Sequence, residues 1–104
     1  MRAKAVSAIA VCALVLALIG SPALAQGSQG GYGYDGVNIR TGAATSYTSI
    51  GLGYIPDGLC LFYLLQGETI NGESWWGNHT NGTTGVGPGF SNMFYLYYSP
   101  GVSC

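Results

Sequence analysis

Charge is what this chain has least of. Basic side chains number three and acidic ones four, together 7% of 104 residues. Arg2 and Lys4 sit at the extreme N-terminus. Beyond residue 25, Arg40 therefore stands alone against Asp35, Asp57, Glu68 and Glu73, a formal charge of −3 with histidine neutral. One arginine cannot neutralise a run of phosphates, which excludes nucleic acid as a partner and gives little hold on anionic lipid. Histidine occurs once, as His79. A zinc-type site needs three or four Cys, His or carboxylate ligands, so no metal and no cofactor is implied. Helical patterning is also missing: after residue 25 no stretch repeats apolar residues at the spacing of an amphipathic helix.

The one long apolar run is N-terminal. Ala5 to Gly20 is apolar except for Ser7, follows two positive charges, and ends at Gly20-Ser21-Pro22 ahead of Ala23-Leu24-Ala25. It spans 16 residues, short of the ~20 that cross a bilayer. The pattern is that of a secretory signal peptide. Residues 1–25 are expected to be removed, leaving a single domain of 79 residues that is secreted, extracellular or cell-wall associated, with no membrane contact. Cys12 follows Val11 rather than the small residue of a lipoprotein signal, so no lipid anchor is expected. It leaves with the leader, and Cys60 and Cys104 remain. In an oxidising compartment they are expected to pair within the chain. The alternatives are two free thiols or a bridge between molecules. A domain this small buries limited surface and gains from a staple.

Residues 26–36 are rich in glycine, with Tyr32 and Tyr34 in Gly-Tyr repeats, and read as a flexible lead-in; a short pairing strand over 32–35 is the alternative. Val37-Asn38-Ile39-Arg40 alternates strictly, which predicts a half-buried strand with Val37 and Ile39 inward and Asn38 and Arg40 outward. Gly42 ends it, and small polar residues lead to Tyr47. A strand over 49–55 follows, then a Pro56-Asp57-Gly58 turn in which glycine would take positive φ. Leu59 to Leu65 is too apolar for an open face and predicts a central strand covered on both sides for part of its length. Asn71-Gly72 and Asn81-Gly82 are hairpin signals. Turns recur every 8–12 residues or so, predicting five or six short strands in a small all-β barrel or sandwich.

Taken in order, Val37-Asn38-Ile39-Arg40-Thr41-Gly42, Tyr47, Ile50-Gly51, the Pro-x-Gly turn, the tryptophan after Asn71-Gly72, and Tyr95-Leu96 after a short turn resemble the bacterial SH3-like (SH3b) domain family. The resemblance covers about residues 37–96 and implies an SH3-like β-barrel over 37–104. The chain departs from the family where Gly-Trp-Val or Gly-Tyr-Val is usual. It has Gly85-Val86-Gly87-Pro88-Gly89-Phe90, so a large aromatic is missing unless Phe90 supplies it.

Catalytic constellations are weak. Ser74, His79 and Asp57 make a triad only on paper, with no supporting spacing. Cys60 lies in an apolar strand, the wrong setting for a reactive thiolate. Glu68 and Glu73 read as exposed loop carboxylates, and His79 as a solvated loop histidine. Asn78-His79-Thr80 and Asn81-Gly82-Thr83 fit the N-glycosylation pattern, which matters only in a host that uses it. No enzyme is expected.

Aromatics are plentiful, and adjacent Trp75 and Trp76 must face opposite ways on a strand. The resemblance implies a binding trough lined by Tyr47, the outward one of Trp75 and Trp76, and Tyr95, with Asn38 at its edge. Its ligand would be a peptidoglycan peptide or a protein partner in the bacterial envelope, bound by a monomer without catalysis. Two other readings compete: a secreted inhibitor or signalling polypeptide acting on another protein, and a self-associating surface structural protein. Sedimentation with isolated cell walls separates the first reading from the others, and gel filtration across concentrations tests the last.

Overall fold

The alternation in Val37-Asn38-Ile39-Arg40 becomes a strand with Val37 and Ile39 buried and Asn38 exposed. The computed structural model describes residues 27–104; the leader expected at 1–25 lies outside them. Seven strands follow in order: β1 (Ser28–Tyr32), β2 (Val37–Arg40), β3 (Ser49–Gly53), β4 (Gly58–Ile70), β5 (Glu73–Asn81), β6 (Gly89–Asn92) and β7 (Leu96–Ser103), with a single 3-10 turn, Met93–Tyr95, before the last. They form one antiparallel sheet in the order β3-β2-β6-β5-β4-β1-β7.

Three strands separate β1 from β2 in that order. Yet Tyr32 of β1, Val37 and Ile39 of β2, Leu59 and Leu61 of β4 and Leu96 of β7 share one buried cluster. The sheet therefore curls until its distant strands face each other across the core. Gly53 on β3 permits this, because a side chain there would collide with the Tyr32 ring. Ile39 has 0% exposure. Ile39→Ala is expected to cost about 2–5 kcal/mol as a buried large-to-small change. Arg40→Ala, on the outward side of the same strand, should cost under about 1 kcal/mol. Urea denaturation of both variants checks the contrast, and equal losses would contradict the inward and outward assignment.

Part of the glycine-rich stretch expected as a flexible lead-in, Ser28–Tyr32, is instead built into the sheet, sharing only Tyr32 with the 32–35 span weighed as a possible strand. β1 lies between β4 and β7, pairing Gly30 with Leu59 on one side and with Tyr98 on the other. Its glycines serve packing: side chains at Gly30 and Gly31 would collide with the Tyr97 backbone and the Tyr97 ring. With this strand the count is seven rather than five or six.

Of two turns expected from the sequence, one forms as expected and one shifts. Asn71 and Gly72 both take positive φ, 50° and 82°, as a two-residue hairpin requires. The turn near Pro56, however, is Tyr54–Asp57, closed by Asp57 N–H donating to Tyr54 O at 2.8 Å and Tyr54 N–H donating to Asp57 Oδ2 at 3.1 Å. Gly58 opens β4 without positive φ.

Cys60 and Cys104 are joined, with Cα atoms 5.8 Å apart. The bridge ties β4 to the residue that follows β7, across β1.

Candidate functional site

Outward residues of neighbouring strands form rows on the face opposite the core. Arg40 on β2 stands level with Phe90 on β6, and Phe90 with Asn78 on β5. Continued by two residues, the same register sets Asn38 level with Asn92, which pairs with Trp76 and, through it, Leu65. Cross-strand neighbours of this kind share a face.

Trp76 is only 2% exposed and Asn92 is buried, although both belong to this outward row. The reason is the far end of the β4–β5 hairpin. The ladder is irregular between Gln66 and Ile70, which frees Glu68 to fold back over the row. Trp76 Nε1–H donates to Glu68 O at 2.7 Å, and Asn92 Nδ2 donates to Glu73 O at 2.9 Å. Glu68 N–H donates to Ala43 O at 3.0 Å, and Glu68 Oε1 accepts from both the N–H and the hydroxyl of Thr45 at 2.7 Å. The two Thr45 bonds hold the Glu68 carboxyl below its ordinary pKa, with a smaller contribution from Arg40. Glu68 is thus the tie between the hairpin and the 41–48 loop rather than a free loop carboxylate. The 41–48 loop is thereby fastened in its middle, at Ala43 and Thr45.

Beside this tie runs a cleft of about 280 Å³ that follows the chain from Asp35, in the bend before β2, to Arg40 at its end. Asn38 and Trp76 line it from the sheet; Thr45 and Ile70 line it on the side of the tie. Opposite stand Tyr34 and Tyr95. Tyr34 stacks on Phe94 with centroids 5.7 Å apart, and Tyr95 meets both rings edge-on at 5.5 and 5.2 Å. Asn92 Oδ1 accepts from Phe94 N–H at 2.8 Å, capping the 3-10 turn that carries these rings. Asp35 at one end accepts from Ile55 N–H at 3.0 Å, and Arg40 at the other donates to Tyr47 O at 3.0 Å.

Of the residues expected to line a trough, Asn38, Trp76 and Tyr95 meet in this cleft, while Tyr47 and Trp75 do not. The tryptophan in the cleft is the buried one, because the folded-back hairpin covers the outward row. Trp75 is 44% exposed and belongs to the other face of β5. The Tyr47 ring lies over Gly42, where a Cβ would come within 2.7 Å of three ring carbons. Phe90 sits on the outward face against Tyr63, ring centroids 6.1 Å apart, and does not line the cleft. Tyr34, Asp35, Arg40 and Phe94 were not singled out from the sequence as site residues. The first two fall in the glycine-rich stretch, where nothing distinguishes a strand exit from a linker.

His79 is the largest correction. It is 0% exposed, in the middle of β5, where Leu61 of β4 and Gly89 of β6 flank it and the Tyr32 ring meets it edge-on at 5.7 Å. Its Nδ1 lies 2.9 Å from Gly77 O, which can only accept, so Nδ1 carries the proton. Nε2 is buried without a partner. Burial therefore holds the imidazole below its ordinary pKa, against a smaller upward effect from the Gly77 bond. Unfolded, this histidine takes up a proton near pH 6.5; folded, it does so only at lower pH. Stability is expected to be full above pH 6.5 and to fall by up to about 1.4 kcal/mol per pH unit below it, until the folded histidine protonates. Urea denaturation across this range, beside a histidine NMR titration of the folded protein, checks the sign. A native titration at or above pH 6.5 would contradict it. The Tyr32 hydroxyl, also buried without a partner, is pushed up by burial first and by Asp57 second. Asn78 and Asn81 are buried too, which closes both glycosylation patterns in the folded chain.

Leu61, Phe62, Tyr63, Leu64 and Tyr98 line a second hollow of about 340 Å³, with no charged or amide side chain to orient a ligand. Among the described residues no group of three His, Cys, Asp or Glu side chains is placed to hold a metal ion. No family model, no curated protein and no solved structure matches this chain.

Proposed function

We propose that this chain is a secreted, non-catalytic binding module of the bacterial envelope that takes an extended peptide into the cleft along β2. The observation that carries this reading is the cleft's composition. An aromatic wall, an indole and an exposed amide line a groove beside a strand, on a rigid sheet, between a carboxylate and a guanidinium. Flat rings and few charges suit the backbone of a small-residue peptide, which lies on them at little entropic cost. The resemblance of the Val37–Gly42 and Tyr95-Leu96 segments to the SH3b family supports the same reading and its barrel fold. The chain differs from that pattern in having a strand ahead of Val37. The disulfide supports export to an oxidising compartment.

A ¹⁵N–¹H shift titration with a peptide digest of bacterial cell wall tests the reading. Shifts are expected at Asn38, Arg40, the Trp76 indole and Tyr95, with the peptides recovered unchanged. No shift at millimolar peptide, or shifts confined to Tyr47 and Trp75, would overturn it.

Self-association is the second reading. It is favoured by exposed Tyr63, Leu64 and Leu65 on β4 together with Tyr97, Tyr98 and Val102 on edge strand β7. Sedimentation velocity over a range of concentrations separates it from a monomeric module.

A further inference from the structure

Resting on the peptide-binding reading, we propose that the cleft recognises a short peptide by both of its charged ends, with the ammonium at Asp35 and the carboxylate at Arg40. Asp35 and Arg40 carry opposite charge and lie at opposite ends of the stretch Asp35–Arg40 that lines the cleft, Asp35 in the bend before β2 and Arg40 at the end of β2. Five residue steps separate them, the first through a bend at Gly36 with φ 72° and the rest along β2, so their Cα atoms lie closer than the about 16 Å of a fully extended stretch. An extended tri- or tetrapeptide with free termini spans about 10–13 Å at the same rise per residue, which leaves room for one hydrogen-bonded contact at each end.

Both groups keep capacity for a ligand. Asp35 uses Oδ1 for Ile55 N–H, and a carboxylate has a second oxygen and further lone pairs. Arg40 uses Nη1 for Tyr47 O, one of the five donors of a guanidinium that matches a carboxylate fork. The competing anion is Glu68, whose charge reaches Arg40. Its Oε1 is already occupied by two bonds from Thr45, which hold that carboxylate toward the loop. Between the ends the cleft offers no other charged side chain. A peptide with a charged side chain in its middle would bury that charge against Trp76 and Tyr95, an unfavourable transfer. The cleft therefore discriminates by terminal charge and by small uncharged residues between the ends.

Direction follows as well. Asp35 lies two residues ahead of β2 and Arg40 ends it, so the bound peptide runs in the direction of β2, N-terminus toward Asp35. A peptide running the other way would place like charges together at both ends.

The test compares four probes by calorimetry and shift titration on the whole secreted chain: tetraglycine, N-acetyl-tetraglycine, tetraglycine amide and the doubly blocked peptide. Each blocked end is expected to weaken binding about three- to tenfold, the range of a partly exposed ion pair, with the free-peptide affinity falling as salt rises. Asp35→Asn keeps an oxygen for Ile55 N–H. It should remove the preference for a free amine while leaving the preference for a free carboxylate. Arg40→Gln should do the converse, and Arg40→Lys should restore part of it. A spin label on a cysteine placed third in the tetrapeptide, with both termini left free, should broaden Thr45 rather than Tyr34. If all four probes shift the cleft resonances with equal affinity, the charge recognition is overturned while the peptide cleft stands. If none shifts the cleft at millimolar concentration and wall digest does, the ligand is a different peptide class and this proposal fails. If neither probe nor digest shifts it, the underlying reading fails with it.

Discussion

Removing the Cys60–Cys104 bridge is expected to destabilise the folded chain by about 4 kcal/mol. The bridge closes a loop of 44 positions, and the chain-entropy estimate for that length gives this value. It is large because the domain is small. Stabilities of whole domains run at about 5–15 kcal/mol, and a single cluster drawn from few strands sits at the low end of that range. The geometry adds a local consequence. Beyond Tyr98 the β1–β7 ladder slips, and its next rung is Ser28 with Ser103. The end of edge strand β7 is therefore held by that rung, by Gln29 Nε2 donating to Ser103 O at 2.9 Å, and by the bridge. In Cys60→Ser/Cys104→Ser, both the urea midpoint and the thermal midpoint should drop, the latter by roughly 15–30 °C for a chain of this size. Amide exchange should quicken first over residues 99–103. A change under about 1 kcal/mol would show that the open chain already confines its ends, and that the bridge holds only the tail.

What could be read from the sequence divides along physical lines. Strict alternation over Val37-Asn38-Ile39-Arg40 needs only a two-residue period and one wet face, so burial there follows from the residues themselves. Asn71-Gly72 is equally local, because both positions need positive φ. The even cysteine count beyond residue 25 predicts a bridge within the chain, and Cys60 and Cys104 form it. By contrast, β1 carries Gly30 and Gly31 because Tyr97 and the β7 backbone press against them. That requirement comes from a strand some 65 positions away in the chain, and to local inspection it looks like a linker. His79 failed for a similar reason. Asn78-His79-Thr80 is polar enough to read as loop, yet β5 lies between β4 and β6 and its inward side reaches the core. Burial of polar residues is decided by position in the sheet order, which no window of sequence contains. The cleft was half legible: Asn38, Trp76 and Tyr95 come from segments with strand or turn signals, whereas Tyr34 and Asp35 come from the exit of the strand that had no signal.

The adjacent tryptophans show how far the fold departs from a two-faced strand, and substituting them separately should give very different losses. Trp76→Ala is expected to cost about 3–5 kcal/mol, the range for a fully buried aromatic, and would leave this small domain close to unfolding. Trp75→Ala should cost under about 1 kcal/mol, since 44% of that side chain is exposed and its backbone N–H keeps Glu73 Oε2 at 2.9 Å. Trp76→Phe separates packing from hydrogen bonding. It retains most of the ring volume but withdraws the indole N–H from Glu68 O, so about 1–2 kcal/mol is expected. That carbonyl keeps only Asn92 Nδ2 at the longer distance of 3.4 Å. Glu68 also secures the 41–48 loop through Ala43 and Thr45. Loss of the indole bond should therefore loosen the side of the cleft formed by Thr45 and Ile70. Amide exchange at Thr45 should quicken in Trp76→Phe while Ile39 stays protected. Equal losses for Trp75→Ala and Trp76→Ala in urea, or a Trp76→Phe variant as stable as the parent with Thr45 unchanged, would mean that the hairpin does not fold back over the sheet.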